Sequence, residues 1–474
     1  MNLNKNAACK VLAGFGTTDI TSGEGVHLCG GEIGAYRPAK FVRHKLYAKA
    51  SVFKGDKTVC VIGLDVLLIN KKYCDMIKEE VMKDLNIPYE AIMVFAIQTH
   101  TAPTVGEVML DIDFPIKFPK EDEYMTGIDT EYSLFVCKQA VEAARIAFAN
   151  VKEVKMDVKS GLKHGLGFCR RIVMRDGTMN MFPPHTTKGH PCGPDISHLE
   201  SPMDDEVGVV CFKDGTDIVG SMLHFTCHPV NDYCTSALYN SVSSDWPGVW
   251  AENIQEKLNI KNIPTVLNGC CGNVNPHDPF TPDYVRDSER MGKALSDLSE
   301  LIMLSMSFDD AEEKGVVDYT YAEIPMDYRD IPEERLNKVI DIIENGEIKR
   351  REDGAFESEW SLAASTYSIL CCKKREPVFM YPVQVFRIGG LAIVALPGEP
   401  FTDSQLDIKL RSIAPMTYVT HCSNKYVGYM PPVNAYKYDG HETNSDYTYW
   451  AKMAPGSIEK ACDKVIEDIE KMFS

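Results

Sequence analysis

The chain has 474 residues, 44% apolar and 25% charged, with a formal net charge of −18. That length suits one large domain or two to three ordinary ones, with enough apolar material for a sizeable core. The negative charge argues against nucleic acid or an anionic membrane surface as partner, and no apolar run approaches the ~20 residues a membrane span needs.

Residues 1–6 carry no apolar stretch, so a signal peptide is not expected. Sixteen cysteines could suggest disulfides, but Cys60, Cys137, Cys211 and Cys462 fall inside apolar patterns, where a thiol acts as a small hydrophobe. Cys270-Cys271 and Cys371-Cys372 are vicinal, and no CxxC spacing occurs. The expectation is a reduced, cytoplasmic chain without a cysteine-type structural zinc site.

In chain order, the turn Lys54-Gly55-Asp56-Lys57 predicts a hairpin of 46–53 with 58–64. A helix follows over 72–86, stopping before Ile87-Pro88, then a strand at 94–97 and an Ala-rich amphipathic helix over 131–149. Lys213-Asp214-Gly215-Thr216 predicts a second hairpin, 207–212 with 217–225. Helices over 246–258 (capped by Asp245) and 287–306 bracket a strand at 263–267. Two helices, 332–345 and 360–374, flank the polar stretch 346–358 and read as a surface insertion over about 330–375, the alternative being a lid. Gly389-Gly390 joins 383–388 to 391–396, and a helix over 456–472 with Ser457 as cap closes the chain. Hairpins alternating with helices predict an α/β protein with mixed sheets, in a single large domain.

The chemistry gathers where apolar runs stop. The run at 59–64 ends at Asp65, 94–97 at Gln98-Thr99-His100, 223–227 at His228-Pro229, and 391–396 at Pro397-Gly398-Glu399. If these strands share an edge, their tips collect imidazole and carboxylate groups on one rim, the usual layout of an α/β active site. Gln98 and His100 lie two apart, as do His224, Thr226 and His228, so each set shares a strand face. The other reading of a strand-end histidine is a ring bonded to a backbone carbonyl. The loop Asn268-Gly269-Cys270-Cys271-Gly272-Asn273-Val274-Asn275-Pro276 is either a tight turn or a place where backbone N–H groups meet a ligand. The tyrosine-rich segments around Tyr429 and Tyr438 either pack or line a pocket.

Taken together, these segments resemble the catalytic domain of the neutral/alkaline non-lysosomal ceramidases and their bacterial relatives. The resemblance runs from Gly14-Phe15-Gly16-Thr17-Thr18-Asp19-Ile20-Thr21 to Gly456-Ser457-Ile458-Glu459. It comprises, in family order, Gln98 to Pro103, Arg170-Arg171 with Asp176-Gly177, His228-Pro229-Val230, Asp245-Trp246-Pro247-Gly248, the loop at Gly272, Pro397-Gly398-Glu399 and Gly428-Tyr429. The resemblance implies a zinc ion held by His228, Glu399 and Tyr429, with the family's remaining ligand, a histidine, replaced here by Gln98. It implies catalytic roles for His100, as proton carrier, and for Arg170 and Tyr438, which would steady the oxyanion. The family's proposed nucleophilic serine is Asn275 here, which leaves metal-activated water as the nucleophile. The family's C-terminal immunoglobulin-like domain is not expected in this chain. The expected function is therefore metal-dependent hydrolysis of a small N-acyl amide. The alternative is a catalytically degenerate relative that binds a ligand without turnover, because Gln98 and Asn275 both depart from the pattern.

Overall fold

A computed structural model describes residues 8–181, 195–281, 284–309, 311 and 313–474. The chain builds an α/β fold on two principal sheets, one of eight strands and one of four.

The large sheet uses β1 (Cys9–Asp19), β2 (Tyr47–Lys54), β3 (Thr58–Leu64), β4 (Ile92–Ala96), β5 (Lys152–Leu162), β6 (Glu206–Asp214), β7 (Asp217–Phe225) and β8 (Thr265–Asn268). Their order is β8-β7-β6-β5-β1-β2-β3-β4, antiparallel except for the parallel edge pairs β7–β8 and β3–β4. A twist of roughly 20–25° per strand accumulates to roughly 150° across seven steps. The sheet accordingly coils until its two edges meet: Asn268 Nδ2, ending β8, donates to the Ile97 carbonyl just past β4 at 3.0 Å.

The second sheet holds β9 (Val317–Met326), β10 (Phe379–Ile388), β11 (Leu391–Ala395) and β12 (Met416–Thr420), with β11 and β12 parallel. Gly389 adopts φ 57° in the β10–β11 turn, the left-handed conformation that the Gly-Gly signal requires. The tip of β12 reaches the seam of the large sheet, where Asn424 N–H donates to the Val94 carbonyl at 2.7 Å. The ends of β4, β7, β8, β11 and β12 thus converge, although they belong to two sheets rather than one edge.

Eight helices of eight or more residues cover these sheets among the described residues: α1 (Lys71–Leu85), α2 (Thr130–Ala149), α3 (Asp245–Leu258), α4 (Ser288–Leu304), α5 (Glu333–Ile340), α6 (Ser358–Arg375), α7 (Thr402–Arg411) and α8 (Ser457–Phe473). The apolar faces expected from the sequence are the buried ones; α3, for example, sinks Trp246, Trp250 and Ile254.

Two expected caps are corrected. Ser457 is the first helical residue of α8 behind Gly456, and its hydroxyl is spent on the Ala454 carbonyl at 2.7 Å. Asp245 sits inside α3 at φ 53°, and its carboxylate accepts from Asn231 Nδ2 (2.9 Å) and from the Asp232 N–H (2.8 Å). It ties down the loop after His228 and also accepts from the Trp246 N–H at 2.7 Å, while the cap position itself falls on Ser244. Between α5 and α6, a π-helical turn over Asp341–Asn345 and the following loop bring Ile343 and Phe356 into one apolar cluster with Trp360 of α6, Ile33, Leu110 and Phe114. Among the described residues no helix is long and apolar enough to cross a membrane.

Candidate active site

A cavity of about 380 Å³ opens at the convergence of strand ends. Its polar lining includes Gln98, His100, Glu399, Tyr429 and His441, with Glu32, Tyr233 and Tyr426 at its sides, and its apolar walls include Ile33, Leu67, Leu68, Met109 and Trp450.

His228 is fixed by its backbone N–H and by Nδ1, both directed at the Val274 carbonyl, the side-chain contact being 2.9 Å. Since a carbonyl only accepts, Nδ1 carries the proton and Nε2 presents a lone pair. Burial and the nearby Arg170 guanidinium push His228 down to about 3, which keeps the ring neutral. Glu399 follows Gly398, whose φ of 70° lets the chain turn out of β11. Its N–H donates to the Gly428 carbonyl at 2.8 Å, and Glu399 and Tyr429 are paired residues of a short parallel ladder. Gly272 is required here, because a Cβ at that position would lie 2.3 Å from the Glu399 carbonyl oxygen.

His228 Nε2 and Glu399 Oε2 end up 3.3 Å apart, both buried and neither hydrogen-bonded among the described residues. His100 stands beside them, ring centroid 5.7 Å from that of His228, with Nδ1 3.3 Å from the Gly30 carbonyl and Nε2 unpartnered. Burial and His228 push His100 down to about 3. Burial raises the Tyr429 phenol well above its ordinary value, as does the Glu399 carboxylate, against the opposing Arg170 charge.

Arg170 lies behind this group, its guanidinium carbon 5.3 Å from the centre of the Tyr429 ring. Its Nε donates to Glu442 Oε1 at 2.8 Å, and Nη1 lies 3.5 Å from Asn275 Oδ1. Glu442 also accepts from Arg171 Nη1 at 2.8 Å, and Arg171 pairs in turn with Glu200. Burial opposes ionisation of Glu442, yet the Arg170 and Arg171 charges hold its carboxyl at about 2.

His100, His228, Glu399, Tyr429 and Arg170 are therefore brought together. Tyr438 is not among the residues lining the cavity; it sits half-buried in the adjoining loop with Lys437 Nζ 5.1 Å from its ring centre. Asp65 is elsewhere, spent on Lys49 Nζ (2.9 Å) and the Tyr47 N–H (3.0 Å). His224 stacks on Tyr418 at 4.8 Å and does not line the cavity. Gln98 lines the cavity, but its carboxamide contacts His421 Nε2 at 2.7 Å.

Sequence reasoning missed His421, Glu442 and Trp450. His421 had a signal of the kind used for the others, since the strand 417–420 ends at it. Glu442 had none, because its two arginine partners lie about 270 residues away in sequence.

Could the residues present hold the zinc that the resemblance implies? Among the described residues no group of three or more His, Cys, Asp or Glu is arranged to hold a metal. His228 Nε2 and Glu399 Oε2 nevertheless face each other at 3.3 Å, and neither has a hydrogen-bond partner among the described residues. Ligands at about 2.0–2.1 Å on adjacent corners of a tetrahedron are separated by about 3.3 Å. A pair of acceptors at that spacing fits a shared cation, and Tyr429, on the neighbouring ladder position, is the third available donor.

No protein-family model matches the sequence, and no curated protein sequence is similar to it. Solved structures do resemble the fold. The crystal structure of a neutral ceramidase from Pseudomonas aeruginosa superposes with a TM-score of 0.69 at 15% identity, over 99% of this chain and 75% of that one. A ceramidase complexed with C2 gives the same TM-score and identity over 98% and 75%. The chain has the fold of the neutral ceramidases over nearly its whole length.

Proposed function

We propose that the protein is a metal-dependent hydrolase that cleaves an N-acyl amide in the cavity at the strand-end seam. The observation that carries this reading is the His228–Glu399 pair: two buried, unpartnered polar atoms 3.3 Å apart, a contact that repels unless a cation or proton lies between them. The likeness to neutral ceramidases supplies the fold and the reaction class by analogy.

His228, Glu399 and Tyr429 would hold the metal. Zinc bound there would polarise the scissile carbonyl and lower the pKa of a water to about 7. The chain's own groups do the rest. His100, with Nδ1 turned to the Gly30 carbonyl, offers Nε2 as the proton acceptor. Arg170, held by Glu442 at 2.8 Å, keeps a positive charge beside Tyr429, where it favours the phenolate and steadies negative charge building on the carbonyl oxygen. The apolar walls exclude water and seat an acyl chain.

One observation favours a second reading, a ligand-binding relative without turnover. Gln98 is engaged with His421, and Asn275 stands where the family has its serine, so neither supplies metal or nucleophile. Metal analysis of protein purified without chelator, followed by assays on N-acyl amides, separates the two. Bound zinc with hydrolysis supports the hydrolase; a metal-free protein inert toward every acyl amide overturns it.

A further inference from the structure

We propose that His421 is the positioning residue for Gln98, and that it turns the Gln98 carboxamide oxygen toward the cavity as the acceptor for the N–H of a secondary amide. The substrate part of this inference rests on the function proposed above; the orientation of the carboxamide does not.

His421 follows directly from β12 and is completely buried. Its backbone N–H donates to the Asn268 carbonyl at 3.1 Å, and Nδ1 lies 2.9 Å from the same oxygen. A carbonyl oxygen only accepts, so Nδ1 carries the proton. Asn268 cannot shift to change this, because its side chain donates to the Ile97 carbonyl (3.0 Å) and accepts from the Cys227 N–H (3.3 Å). A ring enclosed by a carbonyl, a carboxamide and a thiol, away from water, stays neutral. Nε2 is then a lone pair, and the group 2.7 Å from it must donate.

That group is the Gln98 carboxamide. Its oxygen and its NH2 have the same shape, and hydrogen-bond partners decide which faces where. Facing a lone pair, the NH2 turns to His421 and the oxygen turns to the cavity that Gln98 lines. Cys271 Sγ, 3.6 Å from both His421 Nε2 and the carboxamide, closes the remaining side. The backbone is pinned as well: Gln98 has φ 68°, unusual for a side-chain-bearing residue, and its N–H donates to the Val66 carbonyl at 3.1 Å. Position 98 thus presents a fixed acceptor on the wall that holds Glu399 and His100. A ligand N–H satisfies it; an N-alkylated amide leaves it dry and unpaired.

Two measurements test this. Ring 15N shifts of His421 in the full-length protein at neutral pH should report Nδ1–H with an unprotonated Nε2. An Nε2–H ring, or a doubly protonated one, overturns the proposal, and this result does not depend on activity. Calorimetric dissociation constants for N-hexanoyl-4-nitroaniline and its N-methyl analogue should then differ by roughly tenfold or more in favour of the N–H compound. Gln98→Leu and His421→Leu should each bring that ratio close to one, with no further loss in the double variant. Equal binding of the two amides by the unaltered protein overturns the acceptor role. A protein that binds with this preference but hydrolyses neither amide retains this inference and loses the function proposed above.

Discussion

His228 Nε2 and Glu399 Oε2 oppose each other at 3.3 Å as two acceptors without a donor. Without a cation the pair is a local defect; with one it is a binding site. Glu399→Gln separates these states. In the metal-free protein the new NH2 donates to His228 Nε2, and stability should rise by about 1 kcal/mol. If zinc binds at the pair as proposed, the unaltered protein should gain about 2.7 kcal/mol at a hundredfold excess over Kd, and the variant should lose that response. Urea unfolding with and without zinc reads both effects, and a Glu399→Gln protein that is less stable without metal contradicts the pairing.

Glu442 holds the two arginines behind the site, completely buried between Arg170 and Arg171. Among the described residues, Glu442→Gln leaves the two guanidiniums with Glu200 as their remaining salt-bridge partner. Breaking a buried ion pair from one side costs about 3–5 kcal/mol. Urea unfolding should register a loss of that order, and a change below about 1 kcal/mol would mean the network is not closed to solvent.

Tyr429 and Tyr438 lie nine positions apart, and the resemblance implies a role for each. Only Tyr429 lines the cavity. Tyr429→Phe should abolish amide hydrolysis and weaken zinc binding at least tenfold. Tyr438→Phe should leave both within about twofold. A Tyr438→Phe protein as inactive as Tyr429→Phe would require that loop to close over the substrate.

These two tyrosines also mark how far the sequence could be read. Strand and helix bodies were legible because apolar periodicity is a local property: α1 begins one residue before its expected start, and β7 matches its expected bounds. The strand-tip rule found His228, His100 and Glu399, since a run that must be buried ends where the chain meets the cavity. It also returned Asp65, which the same rule cannot distinguish, because its partner Lys49 lies on the neighbouring strand. That the rim is shared by two sheets was not legible, since sheet coiling is a collective result of twist over seven strand pairs. The engagement of Gln98 by His421 was equally hidden, because 323 residues separate them.

Buried neutral histidines make stability depend on acid. Burial pushes His100 and His228 down to about 3 and His224 and His421 to about 4, below the ordinary ~6.5 of the unfolded chain. With folded values depressed, the unfolded chain binds protons that the folded one refuses. Their contribution is complete above about pH 6.5 and is lost as pH falls toward 4. Each such histidine steepens the loss by up to about 1.4 kcal/mol per pH unit. Urea midpoints of the metal-free protein should drop sharply between pH 7 and 5. His224→Phe, which keeps the stack on Tyr418, should flatten the slope by about one proton.

On the proposed function, cavity size would limit the acyl group. The cavity, open on one side, offers about 380 Å³, and at roughly 30 Å³ for a water-sized group it holds on the order of a dozen non-hydrogen atoms. Ile33 and Met109 line the cavity and belong to the same apolar cluster as Phe356 and Trp360, so that wall is backed by packed rings. Each methylene buried inside should strengthen binding by about 0.8 kcal/mol until the space is filled. Affinity across a series of N-acyl amides should therefore climb steeply for short chains and level off well before a sixteen-carbon acyl group. Phe356→Ala removes one ring of that cluster and should move the levelling point to longer chains by one or two carbons. A steady gain through sixteen carbons in the unaltered protein would mean that the chain leaves this cavity and lies on the surface.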